Sequence, residues 1–250
     1  GVVDLPTWLG VALTVVWIVA VMNMVNFLDG MDGLASGVCA ISGLTFAIIA
    51  LSLGKVDAAI LSAVVAGACV GFLRHNFFPA RIFMGDSGAL VLGFTLASVA
   101  VAGLLKTAST VVLFLPLVVL AVPIIDTSFV VAKRLKYGQP ISGADRWHLH
   151  HRFLNIGFSQ RRAAALMWGW TATLGAAALA TRFVPFRAGG EWHLWQTVAV
   201  AAIALAALAY SVYVVYLLEI VKLANPRIRR RLREEGAAGT VPVDAERRSA

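Results

Sequence analysis

Long apolar runs separated by short polar stretches dominate this chain. Seven runs, at roughly 8–27, 34–53, 57–74, 88–105, 109–131, 163–183 and 194–221, carry their charges mostly at the ends. A membrane-crossing helix needs about 20 mostly apolar residues. The pattern therefore predicts an all-α, polytopic membrane protein with about seven transmembrane helices. One residue breaks it: Asp126 sits near the end of the fifth run.

The polar punctuation is uneven. Connections on one side are short, such as Ser52–Val56 and Lys106–Ser109, whereas those on the other are richer, at 28–33, 75–87 and 132–162. No internal repeat divides the chain. Residues 1–226 read as one transmembrane domain, and 227–250 as a basic segment, "RIRRRLREE", followed by a disordered tail.

Composition strengthens the membrane reading. The chain is 60% hydrophobic and 14% charged, with mean hydropathy +0.83, against roughly half and a quarter in soluble domains. Charge adds direction. With the first run entering from outside, only Lys55, Lys106, Arg182 and Arg187 of the 21 Lys and Arg fall outside. The positive-inside bias thus places the N-terminus out and the C-terminus in. The net charge of +8 follows juxtamembrane segments, which suits anionic lipid headgroups and argues against nucleic acid. Cys39 and Cys69 lie inside apolar runs, without zinc spacing or a disulfide framework. The chain starts at Gly1, not Met, and an N-terminal part is expected to be missing.

Candidate chemistry gathers on the inner side. In "NMVNFLDGMDGLASG", Asn23, Asn26, Asp29 and Asp32 recur every third residue, which stacks them on one helical face. Glycines at 30, 33 and 37 would let backbone N–H groups approach an anion. Helix capping by Asp29 or Asp32 is the plainer alternative, but it uses one acid, not two acids and two amides. In "FFPARIFMGDSGALVLGF", Asp86 lies between Gly85 and Gly88, as a cap or as a ligand for a hard cation that retains water. Phe83 could stack on a base or anchor at the interface. In "DRWHLHHR", His148, His150 and His151 lie between Arg146 and Arg152. An anion site fits these donors; zinc is the alternative, without its usual Cys or Glu company. Asp126 is expected to support the site by pairing with Lys133, Arg134 or a loop histidine. Acids for a divalent cation, basic groups for phosphates and an aromatic for a base, all beside lipid, suit phosphoryl transfer from a nucleotide-linked donor to a lipid acceptor.

These three motifs, in this order over residues 23–162, resemble the polyprenyl-phosphate N-acetylhexosamine-1-phosphate transferases of glycosyltransferase family 4. That family also holds the phospho-N-acetylmuramoyl-pentapeptide transferases. The resemblance implies transfer of a sugar 1-phosphate from a UDP-sugar to a polyprenyl phosphate, releasing UMP, with Mg²⁺ or Mn²⁺. It implies a multi-pass protein of the bacterial cytoplasmic membrane with its site on the cytoplasmic face. By motif, Asp86 would be the metal ligand and a catalytic residue together with Asp29 and Asp32. Asn23, Asn26, Phe83, Gly85, His148, His150, His151 and Arg152 would bind substrate. The pattern His-Leu-His-His-Arg resembles the N-acetylglucosamine branch, implying UDP-N-acetylglucosamine as donor and wall or surface polysaccharide synthesis as the purpose. Expected partners are the UDP-sugar, the polyprenyl phosphate and membrane lipid, with a homodimer possible.

Two departures stand out. The family carries an adjacent Asp-Asp pair, absent here, and ten or eleven spans against the seven read here. A chain starting partway through the protein accounts for both; a complete chain would be expected to be inactive. The resemblance leaves open direct attack by the lipid phosphate or a two-step route through an enzyme carboxylate. A non-enzymatic transporter is the competing class. It would more often place polar residues at span centres.

Overall fold

The computed structural model describes residues 6–105, 110–136, 138, 148–185, 187–188 and 191–224. In chain order the helices are α1 (Thr7–Leu28), α2 (Leu34–Ser52), α3 (Val56–Asn76), α4 (Gly85–Val99), α5 (Thr110–Val119), α6 (Ala121–Lys136), α7 (Leu149–Asn155), α8 (Gln160–Phe183) and α9 (Leu194–Ala224). A six-residue π-helical segment, Ala100–Leu105, extends α4. A two-residue antiparallel ribbon, β1 (Arg187–Ala188) with β2 (Glu191–Trp192), lies between α8 and α9. The protein is an all-α polytopic membrane protein: among the described residues, six helices are long and apolar enough to cross a bilayer.

The difference from seven expected spans lies in the fifth run, which divides at Leu120 into α5 and α6. Pro123 explains the division. A continuous helix would bond the residue-123 N–H to the Val119 carbonyl, and proline has no N–H. Ser42 Oγ of α2 donates to that Val119 oxygen at 3.4 Å, so the freed carbonyl is satisfied inside the bundle.

α2 is the central helix, packed against α3 and α8. Its buried Ser36, Gly37, Ser42 and Gly43 suit an interior position, because helices in lipid approach closely through small residues. α1 packs on α4 and α6, and α8 packs on α9. At the α1–α4 crossing, a Cβ built on Gly93 would lie 2.6 Å from the Cα of Met22. Glycine is therefore required there, and the two backbones run nearly in contact. Contacts of Asn26 with Asp86, Asn76 with Gly33, Arg161 with Phe78 and Phe27 with His148 bring the C-termini of α1 and α3 and the N-termini of α2, α4, α7 and α8 to one end. The described parts of the expected inner connections fall at that end. The longest of them holds a helix, α7, which the sequence reading treats as loop. The expected boundary at 226 and the 227–250 tail lie outside the described residues.

Candidate active site

The close α1–α4 crossing carries the first wall of the site. Asn26, on the last turn of α1, donates from Nδ2 to Asp86 Oδ1 at 3.1 Å. Asp29 is the C-terminal cap residue of α1 and takes a backbone hydrogen bond from Gly85. Two motifs about sixty residues apart are thus joined through their amide and carboxylate groups. Burial pushes the Asp29 carboxyl up from 3.8 to about 6; the Gly85 hydrogen bond opposes this, and the neighbouring Asp86 charge adds to it. Asp86 itself is exposed, in the first turn of α4, where the helix dipole favours negative charge.

The capping alternatives do not account for these acids. The cap position before α2 is held by Gly33, at φ 73°, and no side chain caps that helix. A positive φ of this size is cheap only for glycine. No side chain caps α4 either, and its cap position is Met84. Asp32 reaches across the end of the bundle instead: its Oδ2 accepts the Ala80 N–H at 3.0 Å.

Asn76 ties these loops together, and the sequence reading passed over it. Its buried Oδ1 accepts from the Gly33 N–H at 3.1 Å and from Ser36 Oγ at 2.7 Å, while Nδ2 donates to the Ile82 carbonyl at 3.1 Å. One side chain thereby fixes the aspartate turn, the start of α2 and the 77–84 loop. Arg161, at the start of α8, was counted only as charge. Its Nε and Nη2 reach the Phe78 carbonyl at 3.3 and 3.2 Å. Neither residue carries a spacing that distinguishes it from an ordinary helix-end polar group.

The histidine segment forms the second wall. His148 is buried, with Nδ1 3.0 Å from Asp126 Oδ2 and its ring 5.2 Å from that of Phe27. Phe27 directly follows Asn26, so the histidine wall meets the aspartate wall on α1. A loop histidine was among the partners expected for Asp126, and His148 is found beside it. Arg152 lies 4.6 Å over the Phe129 ring, with Lys133 4.5 Å over the same ring. His151 is half-buried on α7. The side chain of His150, and Arg146 altogether, lie outside the described residues.

Two further expected site residues lie at the surface. Asn23 is exposed and donates to the Val19 carbonyl of its own helix at 2.7 Å; the three-residue spacing holds on α1, but α1 stops at Leu28. Phe83 is 76% exposed. Among the described residues, no three His, Cys, Asp or Glu side chains form a metal-holding group. Asp29 and Asp86 are two neighbouring carboxylates. That number suits Mg²⁺, which binds through one or two carboxylates plus substrate phosphates and keeps several waters.

Neighbouring carboxylates thus lie near a helix that bears histidine and arginine, at one end of a polytopic helical bundle, a donor set able to bind a cation and anionic groups. Sequence relatives place the chain in a family. The glycosyl transferase family 4 profile matches residues 1–104. Over 161 residues, covering 64% of this chain and 45% of the relative, it is 43% identical to a probable undecaprenyl-phosphate N-acetylglucosaminyl 1-phosphate transferase of Bacillus subtilis. Over 202 residues, 73% of this chain and 50% of the relative, it is 37% identical to a decaprenyl-phosphate N-acetylglucosaminephosphotransferase of Mycolicibacterium smegmatis. A phospho-N-acetylmuramoyl-pentapeptide-transferase of Desulforudis audaxviator is 40% identical over 166 residues, 66% of this chain and 48% of the relative. The chain spans about half the length of these curated relatives. It belongs to glycosyl transferase family 4.

Proposed function

We propose that the protein carrying this chain transfers N-acetylglucosamine 1-phosphate from UDP-N-acetylglucosamine to a polyprenyl phosphate, releasing UMP, at the cytoplasmic face of a bacterial membrane. The observation that carries this reading is the meeting of Asn26, Asp29 and Asp86 at the bundle end where α7 brings its histidines and Arg152. The positive-inside distribution of Lys and Arg supports a cytoplasmic location for that end.

In this reading a phosphate oxygen of the lipid attacks the β-phosphorus of the UDP-sugar. A new P–O bond forms as the bond from the β-phosphorus to the bridging oxygen breaks, and the electron pair leaves with UMP. The lipid phosphate is anionic at neutral pH, so the barrier is mainly repulsion between phosphates and the cost of alignment. Asp86, with Asp29 beside it, would hold a Mg²⁺ ion that neutralises diphosphate charge. Arg152 and His151 supply donors to phosphate oxygens. Asn26 keeps the Asp86 carboxylate oriented, and the exposed Phe83 ring offers a stacking face for uracil.

The experiment is an assay of the full-length protein in detergent with UDP-N-acetylglucosamine, undecaprenyl phosphate and Mg²⁺. Lipid-linked sugar phosphate and UMP are expected in equal amounts; absence of both overturns the reading. The Desulforudis relative favours one second reading, with UDP-N-acetylmuramoyl-pentapeptide as donor. Offering both donors in the same assay decides between them. Ion flux without UMP release would indicate a transporter.

A further inference from the structure

Asp126 is fully buried on α6 and carries two hydrogen bonds from a segment more than twenty residues away. Its Oδ2 faces His148 Nδ1 at 3.0 Å, and its Oδ1 accepts the Leu149 N–H at 2.7 Å. His148 is the N-cap residue of α7 and Leu149 is its first helical residue, yet no side chain of α7's own segment caps it. Asp126 therefore meets a free peptide N–H at the start of that helix from outside. A carboxylate taken out of water is strongly unfavourable unless donors surround it, so the pair of bonds specifies one placement of α7.

The contact continues along α6. Phe129 and Lys133 follow Asp126 by three and seven residues, a spacing that keeps all three on one helical face. Arg152 of α7 lies 4.6 Å over the Phe129 ring, and Lys133 lies 4.5 Å over it. On its other side the His148 ring packs against Phe27 of α1, 5.2 Å between centroids.

We propose that Asp126 is a positioning residue for the transfer reaction: by holding His148 and the first peptide of α7, it sets His151 and Arg152 against the Asp29–Asp86 wall. In this assignment His148 is an anchor on the protein side, and the anion-binding work falls to the residues after it. With Nδ1 facing the Asp126 carboxylate, the imidazole is held in one orientation.

The kinetic arm of the test rests on the proposed transferase activity; the structural arm does not. In the full-length protein, Asp126→Ala should raise hydrogen–deuterium exchange of the peptide spanning 149–155 at least tenfold, with α1–α4 peptides unchanged. The KM for the UDP-sugar should rise at least tenfold, with a smaller fall in kcat. His148→Ala should do the same, and the double variant should be little worse than either single one, because both act through one contact. Asp126→Asn keeps an oxygen for the Leu149 N–H but turns an amide toward Nδ1. It should retain most of the exchange protection while KM still rises severalfold, which guards against a misfolded alanine variant. Wild-type exchange of 149–155 in Asp126→Ala overturns the proposal. So does loss confined to the yield of folded protein with KM unchanged. If the wild type releases no UMP, the transferase reading fails while the exchange measurement still judges the anchor.

Discussion

The two ends of this bundle are built from the same helices and closed by different means. At the end opposite the site, α2 and α3 are joined by a tight turn in which Gly54 has φ 70° and the Lys55 N–H returns to the Ala50 carbonyl at 2.9 Å. Backbone groups do most of the closing there. Two side-chain bonds reinforce the turn: Ser52 Oγ donates to the Ile49 carbonyl at 2.7 Å, and Arg182 donates to the Ser52 carbonyl at 2.8 Å. At the site end, Asn26, Asp32, Asn76, Asp126 and Arg161 each bond to a group on another element. Such side-chain closure is expensive to build in an apolar bundle, since each buried polar group needs a partner. It leaves carboxylates and bases at fixed mutual positions, which the proposed phosphoryl transfer requires.

The sharpest way to break this comparison is at Asp86. Asp86→Asn keeps the shape and an oxygen for Asn26 but removes a charge. In the full-length protein, kcat/KM should fall by about 10²-fold or more, in line with loss of a charge-stabilising group, with unchanged insertion and helicity. Near-normal UMP release would take Asp86 out of the reaction.

Asn76→Ala should come next, and should act on stability as well as turnover. It leaves the Gly33 N–H, Ser36 Oγ and Ile82 carbonyl without the partner they share. A buried group left unpaired costs about 1–3 kcal/mol, so denaturation in detergent should register a loss of at least about 2 kcal/mol. An unchanged midpoint would show that the loops hold without this side chain.

Asp29 gives a smaller effect that depends on pH. Its carboxyl is raised from 3.8 to about 6, so the folded state favours the protonated form. Stability from this group is full below about pH 4 and is lost as pH rises through about 6. Without divalent cations, the melting temperature should therefore fall modestly between pH 5 and 7, with Mg²⁺ reversing the fall. Asp86→Asn removes a like charge, so it should move the Asp29 titration downward while leaving the larger effect of burial. A melting profile flat across this range, or one that Mg²⁺ leaves unmoved, would contradict the placement of Asp29 beside Asp86.

The smallest effect belongs to the opposite end. Arg182→Ala removes the Ser52 contact and should cost no more than about 1 kcal/mol, with wild-type KM and kcat. A large activity loss there would dissolve the contrast between the two ends.

Much of this was written in the chain itself. Runs of apolar residues dictate membrane helices because an unpaired peptide group in hydrocarbon is too costly for any open structure. The polar motifs are legible for the same reason: Asp29, Asp32 and Asp86 stand out where nearly every neighbour is apolar. Hydropathy, however, is blind to depth within the bundle. Eighteen-residue stretches of α2 and of Leu194–Leu217 in α9 have mean hydropathies of 2.1 and 2.3, yet 72% of the first stretch and 11% of the second is buried. Lipid and protein interior are equally apolar, so only packing through small residues separates a central helix from a peripheral one.

Tertiary structure alone decided which polar groups meet. Nothing local pairs Asn26 with Asp86 or Asp126 with His148, since those contacts follow from where helices cross. Nothing local marks Asn76 as the junction of three segments, because a polar residue at the end of a span is usually a helix end and nothing more. The sequence thus determined the solvent, the helices and the stock of reactive groups. Their assembly into one site depended on close helix crossings, such as the one at Gly93, that bring distant side chains within hydrogen-bonding range.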